Sequence, residues 1–376
     1  MMINRIILST LCLLSFGLEA LCFSPDGNEK KLSADGPYIV YDSLGTGATI
    51  TTVTTKGAVK QKHVKALPSD YSFTVNTSDC KHAFKVQLHN IVRPAWNHQM
   101  PARMLVTSDP HANFDCFFNL LNSSGVIDND CNWTFGNAHL VIIGDVMDRG
   151  DDATAIYWLL YKLEAQAAKA GGAVHFLMGN HEPLVLMNDN RYTNAKYTLL
   201  SDTLGVSYNH FFSQHSELGR WISSHNTIER IGRNIFVHAG LSPDLYDTGL
   251  TIEEVNALMP TGLYKRKAER KATGKLAYML HGSYGPIWYR GLVLTEEQYR
   301  PIKSDSLDMI LNHFDADRII VGHTIFDDIS SFHEGRVIGV NVDNKANREE
   351  GRGRALLIEN GVFWIVDDKG KMKKLL

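Results

Sequence analysis

The residues with the greatest chemical potential lie between Leu140 and Glu182, in LVIIGDVMDRGDDATAIYWLLYKLEAQAAKAGGAVHFLMGNHE. An apolar run, Leu140 to Ile143, ends in Asp145, Asp148 and Arg149. A second, Val174 to Met178, ends in Asn180, His181 and Glu182. The amphipathic stretch between them, about Asp152 to Ala170, makes this a β-α-β unit. Its polar residues crowd the carboxyl ends of the strands, where open α/β sheets bind ligands. The same pattern recurs along the chain. The apolar run from Arg103 to Ser108 leads to Asp109 and His111, Asn234 to Val237 leads to His238, and Ile319 to Val321 leads to His323. Five strand ends thus deliver carboxylate, amide and imidazole groups. That donor set suits Mn, Fe or Zn, and the absence of cysteine from it argues against a structural zinc site. Two such ions about 3.5–4 Å apart acidify a bridging water and neutralise a phosphoryl group under in-line attack. Phosphoryl transfer also calls for arginine clamps.

The elements that must position these groups follow from the flanking pattern. Phe114, Phe117, Phe118 and Leu121 fall at helical spacing in Asn113–Leu121 and face the sheet. Asn122 to Asn137 reads as a polar loop, and Pro183 to Gly232 as mostly helical. Asp305 to Phe314 reads as a helix, and the basic run Lys265 to Lys271 as a solvated helix face. Val337–Val342, Ala355–Glu359 and Val362–Val366 read as antiparallel closing strands, the last two joined by Asn360-Gly361. Short runs at Tyr38–Tyr41, Thr49–Thr55, Tyr71–Val75 and Ala83–Leu88 are rich in β-branched and aromatic residues and separated by turn signals. They form a small β module behind a polar linker at 23–36.

The 376 residues suffice for one large α/β domain with additions. With 44% hydrophobic and 21% charged residues the chain is an ordinary globular one. A net charge of -3 argues against nucleic acid or an anionic membrane as partner. Arg5, the apolar run Ile6–Leu14 and small residues near Ala20 resemble an export signal over 1–22, too short for a stable membrane span. The expected location is outside the cytoplasm, in the periplasm, without a lipid anchor. Of the 5 cysteines, Cys12 and Cys22 leave with that leader. Cys80, Cys116 and Cys131 remain, with Cys116–Cys131 the first choice for a disulfide.

Taken together, Asp-x-His, Gly-Asp-x-x-Asp-Arg-Gly, Gly-Asn-His-Glu, His-x-Gly and Gly-His resemble the calcineurin-like metallophosphoesterases, in the form of the phosphoprotein phosphatases. The segments around Gly219-Arg220-Trp221, Phe236–Pro243 and Gly285–Gly291 are similar to bacterial Shewanella-like phosphatases. The resemblance spans about Met104 to Asp343. It implies a four-layer α/β/β/α sandwich over residues 100–376 and two divalent metal ions, manganese first, with iron or zinc as alternatives. It implies Asp109 and His111 on one metal, Asp145 bridging, and Asn180, His238 and His323 on the other. Arg149 and Arg290 clamp the phosphate, His181 oriented by Asp148 acts as general acid, and Glu182 fixes the loop. Two positions depart from the family pattern, Ala112 after Asp-x-His and Ala239 after His238, where glycine is usual. His281 is a further candidate near the expected phosphate site, with a structural role, the commoner one for a lone loop histidine, as the alternative.

The function expected is hydrolysis of a phosphomonoester, foremost a phosphoprotein, by a hydroxide bridging two metals. A small phosphorylated molecule outside the cytoplasm is the alternative substrate. A non-catalytic scaffold that binds a phosphorylated ligand is the alternative of another class, and the retention of every ligand type argues against it.

Overall fold

In the computed structural model, which describes residues 31–343 and 353–376, the apolar runs become strands of two stacked six-stranded sheets. The expected leader lies outside the described residues. The described residues open with β1 (Asp35–Tyr41), β2 (Ala48–Val53) and β3 (Val59–Val64), a small antiparallel sheet, and the hairpin β4 (Ser72–Asn76) and β5 (Ala83–Gln87). After β6 (Asn97–His98) come β7 (Arg103–Thr107), α1 (Phe114–Ser123), β8 (His139–Ile142), α2 (Ala153–Lys169) and β9 (Ala173–Phe176). Helices α3 (His181–Leu186), α4 (Ala195–Leu204) and α5 (Glu217–Ser224) lead to β10 (Ile228–Ile231) and β11 (Asn234–Val237). Helices α6 (Pro243–Tyr246), α7 (Ile252–Leu258), α8 (Lys267–Thr273), α9 (Lys275–Leu280) and α10 (Ser304–His313) precede β12 (Arg318–Val321). The chain closes with β13 (Ser330–Phe332), β14 (Val337–Gly339), β15 (Arg354–Glu359), β16 (Val362–Asp367) and β17 (Met372–Lys374).

One sheet runs β17-β16-β15-β7-β8-β9 and the other β13-β14-β12-β11-β10-β6. Strand alternation explains the layers. Met104 and Val106 of β7, Val141 of β8, Phe236 of β11, Ile320 of β12 and Leu356 of β15 pack between the sheets. Their neighbours Leu105, Leu140 and Leu357 turn outward onto α1 and α2, and Ile235 and Ile319 onto the helices of the opposite face. The result is α/β/β/α. Each such side chain, fully buried, contributes about 1.5–3 kcal/mol, so a one-residue slip in register would invert every layer. Strands β7, β8 and β9 are mutually parallel, as are β11 and β12, so their carboxyl ends meet at one end of the sandwich.

The amino-terminal strands share the core of the outer helical layer. Tyr38 stacks on Phe211 at 4.3 Å between ring centroids, and Trp158 Nε1 of α2 donates to Pro37 O at 2.9 Å.

Several expectations need correction. The linker ends earlier than residue 36: Leu32, Ala34 and Asp35 are buried, and β1 begins at Asp35. A third strand, β3, was not anticipated because VKQKHV is exposed over most of its length. Strand β10 interrupts the stretch read as helical, since Ile228 and Ile231 pair it with β11. Val337–Val342 does not close the sheet with β15 and β16. Its strand part, β14, runs parallel to β12 in the other sheet. Cys131 is a free, buried thiol, so the expected Cys116–Cys131 disulfide is not formed. In the basic run, Arg270 turns inward, where its Nε donates to Gly262 O at 2.8 Å.

Candidate active site and metal centre

Every strand-end residue singled out in the sequence is placed at the carboxyl end of the sandwich, and seven of the loop residues there take positive φ. Asp109 (51°), His111 (43°), Ala112 (57°), Asp145 (57°), Asp148 (70°), Arg149 (69°) and His323 (60°) all lie in the left-handed region. Non-glycine residues occupy it at a cost, and such strain concentrates at functional sites. Of the two departures from the glycine pattern, Ala112 carries this strain, whereas Ala239 is absent from the positive-φ set. Glycine is required where the loops touch: a Cβ on Gly179 would run into the Asp145 carboxylate, and one on Gly322 into Ser108 Oγ.

Two ligand groups share one residue. His111, Asp145 and His181 form one, and Asp145, His238 and His323 the other. Asp145 Oδ2 lies 3.2 Å from His238 Nε2, 3.9 Å from His181 Nε2 and 4.0 Å from His111 Nε2. Asp109 Oδ1 is 4.0 Å from His111 Nε2, and Asn180 Oδ1 is 3.0 Å from His238 Nε2. Main-chain carbonyls orient two of the imidazoles. His111 Nδ1 donates to Met147 O at 3.0 Å and His238 Nδ1 to Ile143 O at 2.7 Å, so in both rings Nε2 faces the cluster.

The residues fit a pair of divalent cations. Nε2 of His323 is buried and unpartnered among the described residues. Burial, with the Asp145 charge adding to it, pushes Asp109 up to about 7 against the pull of His238. Burial opposes a charge on His238, yet the Asp145 and Asp109 carboxylates outweigh it and push that ring up to about 9. Burial holds His111 down at about 4 and pushes His323 well below its ordinary value. These buried carboxylates and neutral imidazoles have the donor chemistry for Mn, Fe or Zn, and a cation must displace the His238 proton.

His181 stands apart by its partner. Its Nδ1 donates to Asp148 Oδ2 at 2.6 Å, and Thr193 Oγ1 donates to Asp148 Oδ1 at 2.9 Å. Burial works against its cation, but the Asp145 charge and the Asp148 hydrogen bond prevail and raise its pKa. Arg149 is exposed at a cleft lined also by Asp109, His111, Asn113 and Asn341. Half-buried Arg290 is held by Thr324 Oγ1 at 2.9 Å. Thr193 and Thr324 were not legible, since a lone threonine carries no spacing signal. His281 is not part of the site: it is buried against Met259 O, and burial together with Arg270 pushes it down to about 3.

Glu182 is the keystone. Its carboxylate accepts from the backbone N–H groups of Gly179 (2.7 Å), Asp145 (3.1 Å), Val146 (2.8 Å) and Met147 (3.3 Å), and from Tyr157 Oη (2.9 Å). Glu182→Gln turns an –NH2 toward these donors. The expected loss is about 3 kcal/mol of stability, read as a lower urea midpoint of the metal-free protein. An unchanged midpoint would remove Glu182 from this role.

A sandwich of this topology with these ligands at its parallel strand ends defines a phosphoesterase. Residues 102–326 match the calcineurin-like phosphoesterase family, and the chain belongs to it. It is a phosphoric monoester hydrolase, related to named phosphatases. Shewanella-like protein phosphatase 1 of Plasmodium berghei is 27% identical over 61% of this chain and 62% of that protein. Shewanella-like protein phosphatase 2 of Arabidopsis thaliana is 25% identical over 61% of this chain and 68% of that one. The crystal structure of a cold-active protein-tyrosine phosphatase of a psychrophilic Shewanella superposes with a TM-score of 0.80. Its sequence identity is 30%, and the match covers 91% of this chain and 99% of that one.

Proposed function

We propose that this phosphatase acts on phosphoproteins, at tyrosine or serine/threonine, through a dinuclear metal centre. The observation that carries the reading is the sharing of Asp145 between two ligand groups, with His181 of the first of them held by Asp148. Asp109, His111 and Asp145 would hold one ion, and Asp145, Asn180, His238 and His323 the other. When bound, the ions supply neutralisation of phosphoryl charge and acidification of the attacking water. The chain's own residues do the rest. Arg149 and Arg290 fix the phosphoryl oxygens, and His181 delivers a proton from Nε2 to the departing oxygen. The names of the relatives support a phosphoprotein substrate. The Arg5-led apolar run supports export to the periplasm. There, the second reading, a small phosphorylated molecule such as a nucleotide or sugar phosphate, gains weight. Among the described residues no helix is long and apolar enough to cross a membrane.

Chelator-stripped protein is expected to lose turnover of p-nitrophenyl phosphate and to regain it with manganese. Phosphotyrosine and phosphoserine peptides should then be hydrolysed with higher kcat/KM than nucleotides or sugar phosphates. Full activity after stripping would overturn the metal mechanism, and the reverse substrate order would favour the small-molecule reading.

A further inference from the structure

A second cluster of ligating side chains lies away from the catalytic end. His139 opens β8, His175 lies in β9, Glu229 in β10 and His98 in β6. Strand parity places three of them in the layer between the sheets. His139 is two residues from Val141, His175 two from Leu177, and Glu229 two from Ile231, all members of the inter-sheet core. That layer is largely apolar, so a carboxylate and imidazoles there need a partner to offset their desolvation. Glu229 is fully buried and His175 nearly so, while His98, on edge strand β6, and His139 are half-buried. Along β8, His139 precedes Asp145 by up to roughly 20 Å of extended chain, and no residue is shared with the catalytic groups.

We propose that His98, His175 and Glu229 form a further divalent-metal site, with donors suited to zinc, that ties edge strand β6 to the two sheets. One ligand atom from each of the three residues lies within 4.8 Å of the others. His175 Nδ1 is 2.6 Å from Glu229 Oε2, and His98 Nε2 is 3.7 Å from the same oxygen. Tetrahedral zinc with bonds near 2.0–2.1 Å wants its donors roughly 3.3 Å apart, so one separation opens and the other closes by less than about 1 Å. Two imidazoles and a carboxylate leave a fourth position for water, on the solvent side of His98. The surroundings already orient the ligands as zinc sites require. Asn226 Nδ2 donates to Glu229 Oε1 at 3.0 Å, and His175 Nε2 sits 3.0 Å from His139 Nδ1. With zinc on Nδ1, His175 carries its proton on Nε2 and donates it to His139. His98, whose Nε2 now donates to Ala95 O at 2.8 Å, releases that bond and keeps its proton on Nδ1. In their neutral forms the imidazoles need only exchange tautomers to load the ion.

The test is metal content and spectrum, independent of catalysis. Metal-stripped full-length protein is dialysed against zinc and counted by mass spectrometry, and cobalt is substituted to read the visible band of a tetrahedral nitrogen–oxygen site. The comparison is with His98→Gln, which keeps a donor for Ala95 O at a half-exposed position, and with Glu229→Gln. The expected result is one zinc equivalent fewer in each variant, loss of the tetrahedral cobalt band, and a melting temperature no longer raised by zinc. Turnover of p-nitrophenyl phosphate by His98→Gln should equal that of the parent. Equal zinc content and equal cobalt spectra in parent and folded His98→Gln would overturn the site and leave a hydrogen-bonded histidine chain. A variant at Asp145 reads only the catalytic centre, so failure there and failure here are told apart.

Discussion

Asp145→Asn is expected to lower kcat/KM by more than the roughly 100-fold that follows loss of a residue merely orienting a metal ligand, with the fold retained. Asp145 is the carboxylate common to both ligand groups, so its charge serves both halves of the centre. Three imidazole nitrogens lie within 4.0 Å of its Oδ2. Burial would favour its neutral form, yet His238 and His181 hold it well below the usual carboxylate range. An amide of the same size keeps the loop geometry, because Oδ1 continues to accept the His181 backbone N–H, a 2.9 Å bond. The charge that would gather the cations is what disappears. Circular dichroism should match the parent, and bound manganese should fall. Turnover within tenfold of the parent, with metal content preserved, would sink the shared-carboxylate mechanism.

The legibility of this site in the sequence has a physical origin. A buried parallel strand is apolar to its end, so Asp145 or His323 directly after one is conspicuous, and all the ligands arrive this way. Positions that only hold other site residues in place arrive otherwise. Thr193 comes from the turn before α4 and Thr324 from the residue after His323, and neither breaks a pattern. The fold was legible where period and length agreed, as in α2 and its flanking strands. It was not legible where strands are short or exposed: β6 has two residues, and β3 is polar over most of its length. Pairing partners such as β14 with β12 depend on the whole sheet order, which local sequence does not carry. The cluster of His98, His139, His175 and Glu229 was invisible for the same reason. Its members come from four strands with no fixed spacing, and only the stacking of the two sheets brings them together.

Replacing His181 with Asn should divide substrates by their leaving groups. General-acid catalysis contributes about 10²–10⁴-fold when the departing oxygen is basic. An alkyl leaving group, such as the serine of a phosphoserine peptide, should therefore lose about that factor in kcat. p-Nitrophenyl phosphate departs without needing the proton and should lose much less. The geometry supplies the reason: Asp148 holds Nδ1–H at 2.6 Å, which leaves Nε2 facing Asp145 and the metal ligands. The pH dependence follows with a definite sign. The folded pKa of His181 is raised, so the acid form survives to higher pH than free imidazole, and kcat for alkyl phosphates falls as pH rises through that value. Asp148→Asn removes one of the interactions that raise it, so the alkaline limb should move to lower pH while the limb for p-nitrophenyl phosphate stays in place. Equal losses for both substrate types would mean that His181 positions the phosphate and does not protonate the leaving oxygen. A limb unmoved in Asp148→Asn would show that the Asp145 charge alone sets the proton affinity of that ring.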